Sequence, residues 1–443
     1  MNRYCLFLAA IALLVLCFAF ACDSDDDDDN DNNDDNNDDD DTPVDDDDND
    51  TSDDDNDDAT PDDDSVDDDT ADDDTAPPPA YDPAEPGPYE VGNATILFVD
   101  EARYDPVTNG PRTIPVEFWY PAVDEASELP RDTLLNFFGQ WDDELIELLE
   151  DEGVPPEEIA NFSAETGSAR NAPPNRDHGP FPVILFSHGN GGTRFQSFTL
   201  SEYLAGHGFV VVAPDHTGNS LAAPLPDQLV VFDEKWVFIS YWYRKGDLKF
   251  LIDKLLELSL DDRAGPLFGL IDMDRLGVMG HSFGGTVAVE TTKDVPRIRA
   301  CIDFSSFMFP WFAKPFDASL MWMIGREDNT MGDIIPLMRF DWRIAPPPKF
   351  RLEFYDGGHY TFTDACILVP SILGEEDGCG MGERRWGGAP FEYIEHDYAF
   401  SIIDAYATAF FGFNLRGDDH MAEYLTANHF PDDVNYHQRW PEE

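Results

Sequence analysis

From Pro182 onward, short apolar runs recur at intervals that leave room for about one helix between them. They are Pro182–Phe186, Phe209–Ala213, Leu276–Met279, Ala300–Phe304, Leu320–Ile324 and Phe350–Phe354. Short runs without polar alternation suit strands buried on both faces, which is the environment of a parallel sheet. Intervening stretches such as 245–258 place Leu248, Leu251, Ile252 and Leu255 on one helical face. This alternation predicts a doubly wound, mostly parallel α/β sheet. Ahead of it, Thr95–Val99 and Ile114–Tyr120 read as early strands with a turn at Asn109-Gly110. Residues 131–163, with Leu145, Leu148 and Leu149, read as a helical insertion. There is no internal repeat.

The N-terminal part is of another kind. Arg3 precedes an apolar run, Leu6–Phe20, and small residues precede Cys22, which is the pattern of a secretory signal over residues 1–22. The run is short for a membrane span, which needs ~20 residues. Ala19-Phe20-Ala21-Cys22 resembles a bacterial lipobox, so Cys22 is the expected lipidated N-terminus of an exported, envelope-anchored protein; simple cleavage and secretion is the alternative. Residues 23–88 form the linker. Its first part, 23–74, holds 32 aspartates and no Lys, Arg or Glu, so it repels itself and is expected to be disordered; Pro77–Pro88 is stiffer. Calcium binding by the tract is the sharper reading, but no EF-hand loop is present in it. The folded α/β domain is expected over 89–430.

Net charge is −65 for the 443 residues, and residues 75–443 still carry 60 acidic against 26 basic side chains. Nucleic acid is excluded as a partner on that balance, because phosphate binding needs clustered Lys and Arg. In an exported chain, Cys366 and Cys379 are a plausible short-loop disulfide, with Gly374, Gly378 and Gly380 permitting the turn. Cys301, in an apolar run, is expected to be a buried free thiol.

The chemistry gathers around RLGVMGHSFGGTVAVE, residues 275–290. A strand ends at Gly280, a helix follows, and Ser282 falls on the sharp turn between them with Gly280, Gly284 and Gly285 around it. A G-x-S-x-G match in this context is a nucleophile elbow. A serine hydroxyl needs a base to remove its proton. His359, in YDGGHYTF, stands on a Gly-rich loop after the Phe350–Phe354 run, where ligands gather in open α/β sheets. His396 opens a helix, and His420, His429 and His437 lie in a polar tail. For the acid, Asp328 follows the Leu320–Ile324 run, Asp303 ends the preceding one, and Glu327 is a third option. Two oxyanion donors are expected, the N–H of Phe283 and that of Asn190 in the loop Ser187-His188-Gly189-Asn190-Gly191-Gly192. His188 is expected to shape that loop by hydrogen bonds, and His216 to line the pocket or pack.

FSHGNGG, LAGHGFVVVAPDHTGNS, DRLGVMGHSFGG and Met308-Phe309-Pro310 together resemble the platelet-activating factor acetylhydrolase and dienelactone-hydrolase-like group of α/β-hydrolases, from about Tyr89 to Asp418. The resemblance implies an α/β-hydrolase fold and a serine esterase or lipase for short or oxidised acyl chains, with no metal or other cofactor. It implies Ser282 as nucleophile, His359 as base, and Phe283 and Asn190 as the oxyanion hole. In the acetylhydrolases the acid lies just before the MFP segment, where this chain has Ser305, with Asp303 two positions away. Cutinase-like branches place it after the next strand, which fits Asp328. The expected partner is a small-molecule or lipid ester, with short-chain, phospholipid-like and polyester substrates all open. The aromatic stretches Phe307–Phe316 and Phe232–Tyr243, the latter with Trp236 and Trp242, read equally as acyl pocket or hydrophobic cap. The alternative function is an inactive surface binding protein whose acidic tract holds calcium.

Overall fold

The computed structural model describes residues 81–260, 268–307, 317–332, 335–374 and 377–441. The expected secretory segment 1–22 with Cys22, the Asp-rich tract and residues 308–316 of the first aromatic stretch lie outside the described residues.

Among the described residues, ten strands form the principal sheet. They are β1 Glu90–Asp105, β2 Gly110–Ala122, β3 Ala169–Arg170, β4 Phe181–Ser187, β5 Val210–Pro214, β6 Ile271–His281, β7 Ile298–Phe304, β8 Ser319–Gly325, β9 Lys349–Phe354 and β10 Val434–Arg439. Their spatial order is β10-β9-β8-β7-β6-β4-β5-β2-β1-β3. The six central strands, β9 through β5 in that order, pair in parallel, while β2 joins β5 and β10 joins β9 in antiparallel fashion. Each of the six apolar runs falls on one of the six parallel strands. The hairpin β1–β2 turns at Asn109, whose φ of 59° is a left-handed conformation that asparagine tolerates.

The principal helices are α1 Asp142–Asp151, α2 Phe198–Gly206, α3 Val237–Leu260, α4 Phe283–Asp294, α5 Ile335–Ile344 and α6 His396–Phe411. Residues 134–163 are helical, but as a chain of short turns around α1 with Leu145 and Leu149 buried. On one face of the sheet, Ile184 and Phe186 of β4 share a core with Leu200 and Leu204 of α2 and Ile402 and Ile403 of α6. Val183 and Leu185 alternate to the other face and are equally buried, so both faces are covered. Leu248, Leu251, Ile252 and Leu255 of α3 are all buried. Among the described residues, no helix is long and apolar enough to cross a membrane.

The polar tail carrying His437 includes the edge strand β10, Val434–Arg439, which lies beyond residue 430. Edge strands face solvent, so their composition lacks the apolar signature of the central strands while their backbone still pairs.

Candidate active site

Strands β4, β6, β8 and β9 are parallel, so their C-terminal ends deliver four loops to one edge of the sheet. β6 ends at His281, and Ser282 follows with φ 54° and ψ −123°, a left-handed conformation strained for a residue with a Cβ. Its N–H bonds Phe304 O at 2.8 Å, and α4 starts at the next residue. Close packing makes the turn possible. A Cβ on Gly284 would meet the carbonyl oxygens of Ser187 and His188 at less than 3.0 Å. Ser282 is 6% exposed, within reach of the surface yet shielded.

The loops after β8 and β9 converge beside it. The Asp328 Oδ2–His359 Nδ1 distance is 2.8 Å, and Asp328 Oδ1 accepts the N–H of Met331 at 2.6 Å. A carboxylate only accepts, so Nδ1 of His359 carries the ring proton and Nε2 keeps its lone pair. Burial opposes the imidazolium, but the charge and hydrogen bond of Asp328, with the charge of Asp377, outweigh it and raise the His359 pKa above its ordinary value.

Asp377 is a carboxylate to which the sequence reading assigns no role. Its Oδ1 accepts the backbone N–H of His359 at 3.0 Å and of Asn329 at 2.8 Å, and Oδ2 accepts that of Thr330 at 2.6 Å. Burial first, and then the neighbouring Asp328 charge, push its pKa up to about 6. Cys379, two residues on, is disulfide-bonded to Cys366 with the Cα atoms 5.6 Å apart, and Cys301 is a buried free thiol.

His281 joins the base loop to the loop after β4. Its Nε2 donates to His359 O at 2.9 Å, and its Nδ1 accepts from Gln196 Nε2 at 2.8 Å, while Gln196 Oε1 takes the N–H of Gly189 at 2.8 Å. The His281 and His359 rings lie 4.6 Å apart. Burial, and then the charge of His359, hold His281 well below its ordinary pKa, so it serves as a neutral bridge. Only its place beside Ser282 offered a signal for it in the sequence.

His188 shapes the loop as expected: Nδ1 donates to Gly189 O at 2.7 Å and Nε2 accepts the N–H of His216 at 3.2 Å. His216 is fully buried, with Nε2 3.0 Å from Ser187 Oγ and Nδ1 2.9 Å from Asp247 Oδ2. That places it in packing behind the loop. Asn190 Oδ1 accepts from Asn219 Nδ2 at 2.8 Å. Asp303 is not brought to the histidine. It is buried behind α4, where a Cβ on Gly285 would meet its Oδ1, and burial with the nearby Asp341 charge pushes its pKa well above the carboxylate range. Glu327 turns the other way, to Arg384 and the backbone of Arg385. Of the second aromatic stretch, Phe232 borders Gly191 in the loop after β4, while Phe238 and Trp242 are about half exposed.

Known proteins resemble the chain in fold and in sequence. A ferulic acid esterase from Streptomyces cinnamoneus superposes with a TM-score of 0.58 at 23% identity, over 74% of this chain and 91% of that one, which establishes the α/β-hydrolase fold. A probable 1-alkyl-2-acetylglycerophosphocholine esterase of Arthroderma benhamiae is 22% identical over 374 residues, 76% of this chain and 89% of its own. Platelet-activating factor acetylhydrolase of Bos taurus is 28% identical over 160 residues, 29% of this chain. The chain thus spans 36% of the length of that bovine relative. Platelet-activating factor acetylhydrolase, isoform II, is the family whose profile matches residues 80–252 and 243–375, a span that includes the elbow and both converging loops, and the chain belongs to that family.

Proposed function

We propose that the chain hydrolyses carboxylic esters through an acyl-serine intermediate, with Ser282 as nucleophile, His359 as general base and Asp328 as the acid that orients it. One observation carries the reading. The His359 ring is held at Nδ1 by Asp328 at 2.8 Å, and its backbone carbonyl is held at 2.9 Å by the residue preceding Ser282. With Nδ1 protonated, Nε2 takes the Ser282 proton as Oγ bonds the ester carbonyl carbon. The imidazolium then gives that proton to the departing alkoxide, leaving alcohol and acyl-enzyme. Water, deprotonated by the same nitrogen, releases the acid and restores the serine. The N–H groups of Phe283 and Asn190 receive the oxyanion in both tetrahedral states.

The substrate class follows from the relatives' names, an acetylhydrolase and an acetylglycerophosphocholine esterase: short acyl esters, including those on phospholipids. Export and anchoring through lipid on Cys22 belong to the same reading; labelled palmitate should enter the wild-type chain and not Cys22→Ser. Hydrolysis of p-nitrophenyl acetate by wild type and Ser282→Ala tests the chemistry. The expected loss is on the order of 10⁶-fold in kcat, as for removal of other serine nucleophiles. Equal rates in the two proteins would end the proposal.

A further inference from the structure

Arg244 of α3 is completely buried, and its guanidinium reaches the loop after β4 and the elbow together. Nη2 donates to the carbonyl of His188 and to Ser187 Oγ, the latter at 2.9 Å. Nη1 donates to Asn219 Oδ1 at 2.9 Å and approaches Gly189 O at 3.5 Å. The planar cation also lies 4.9 Å from the centroid of the Phe283 ring. From these contacts we infer that Arg244 is the positioning residue of the oxyanion hole, setting the direction of both of its N–H donors. The inference rests on the ester-hydrolase reading and deepens it.

The geometry of the peptide bond supplies the reason. In a trans peptide the C=O of one residue and the N–H of the next point in opposite directions within one plane. Gly189 O and Asn190 N–H belong to one such unit. Gly189 O is drawn inward by His188 Nδ1 at 2.7 Å, by the Gly192 N–H at 3.2 Å and by Arg244. Asn190 N–H must then point the other way. The Asn190 side chain is restrained by the same cation through Asn219, whose Nδ2 bonds Asn190 Oδ1 at 2.8 Å and whose carbonyl takes the Gly191 N–H at 3.0 Å. On the other side of the hole, the Phe283 ring against the guanidinium limits rotation of the residue that supplies the second N–H. Lysine has a single point of donation and cannot reproduce the fork. Burial draws the Arg244 pKa down to about 9, opposed by Asp247, which still leaves it cationic at neutral pH.

The test uses the full chain as wild type, Arg244→Lys, Arg244→Ala and Asn219→Ala. It measures kcat and KM for p-nitrophenyl acetate and the affinity of an aryl trifluoromethyl ketone, which adds to serine as a tetrahedral oxyanion. Both arginine variants should lose about 10²-fold in kcat, the scale of one lost oxyanion donor, with KM within about twofold and ketone affinity falling in parallel. Guanidinium chloride should restore part of the lost kcat to Arg244→Ala and none to Ser282→Ala. The ascending limb of the pH profile, which belongs to His359, should not move. Folded arginine variants that keep wild-type kcat, or that lose kcat while ketone affinity stays intact, would overturn the assignment. If the arginine variants do not fold, Asn219→Ala decides: parallel losses of kcat and ketone affinity support the role, and unchanged values refute it. A wild type that hydrolyses no ester would instead bring down the hydrolase reading itself.

Discussion

Asp377 accepts the backbone N–H of His359 at 3.0 Å, and through its other contacts it also holds Asn329 and Thr330, the two residues after Asp328. One carboxylate therefore fixes the spacing of the expected acid and base loops without touching either reacting side chain. Asp377→Ala would leave three buried donors unmatched, at about 1–3 kcal/mol each before relaxation. The expected outcome is a lower Tm by calorimetry together with a fall in kcat. Asp377→Asn keeps one acceptor oxygen and should be milder on both measures.

Asp377→Asn also has a signature in pH. His359 must be neutral to accept a proton, and its pKa lies above the ordinary value because Asp328, and secondarily Asp377, outweigh burial. The ascending limb of kcat/KM should therefore sit above about 6.5, the unperturbed value. Removing the Asp377 charge should shift that limb to lower pH. The linkage sign is that of a raised histidine: stability from the His359 pairing is fully present below the unfolded pKa and is lost as pH rises through the folded one. A pH–rate series on wild type and Asp377→Asn checks the direction.

The two rival acids should separate sharply. Asp328→Asn removes the charge and replaces one of two accepting oxygens with an NH2 donor, so the imidazole tautomer is no longer fixed and kcat should fall by about 10⁴-fold, as in other serine triads. Burial and the Asp341 charge push the Asp303 pKa well above the carboxylate range, its side chain is not paired with His359, and Asn is close to isosteric there. Asp303→Asn should stay within a few-fold of wild type. Steady-state rates on the two purified variants make the comparison, and a reversed order would move the acid to Asp303.

The Cys366–Cys379 disulfide closes a loop that contains Asp377. Opening a loop of 13 residues should cost about 3 kcal/mol on the chain-entropy account. Because Asp377 lies inside it, the paired variant Cys366→Ser/Cys379→Ser should lose activity as well as stability. Thermal unfolding and ester hydrolysis, each with and without dithiothreitol, measure both effects; wild type in dithiothreitol should approach the variant.

The six central strands were legible because a strand buried on both faces must be continuously apolar. The elbow was legible for a similar reason. Its turn needs glycine where backbone approaches backbone, and those glycines lie within a few residues of Ser282. Edge strand β10 was not legible, since a half-solvated strand with Asn435, His437 and Gln438 carries no such constraint. Glycine freedom also explains why the histidine loop could be located while its neighbours could not.

Residue order alone determined the class of sheet, the turn that carries Ser282, and the strand ends that present Asp328, Asp303 and His359 as candidates. Only tertiary packing distinguished the two aspartates, because both obey the strand-end rule and what separates them is which one has His359 against it. The same holds for Arg244, His281 and Asp377, whose partners are 55, 78 and 18 positions away in the chain. Local propensity acts over a few residues, whereas hydrogen bonds that aim a peptide group or orient an imidazole are made between loops that meet only after the sheet has assembled.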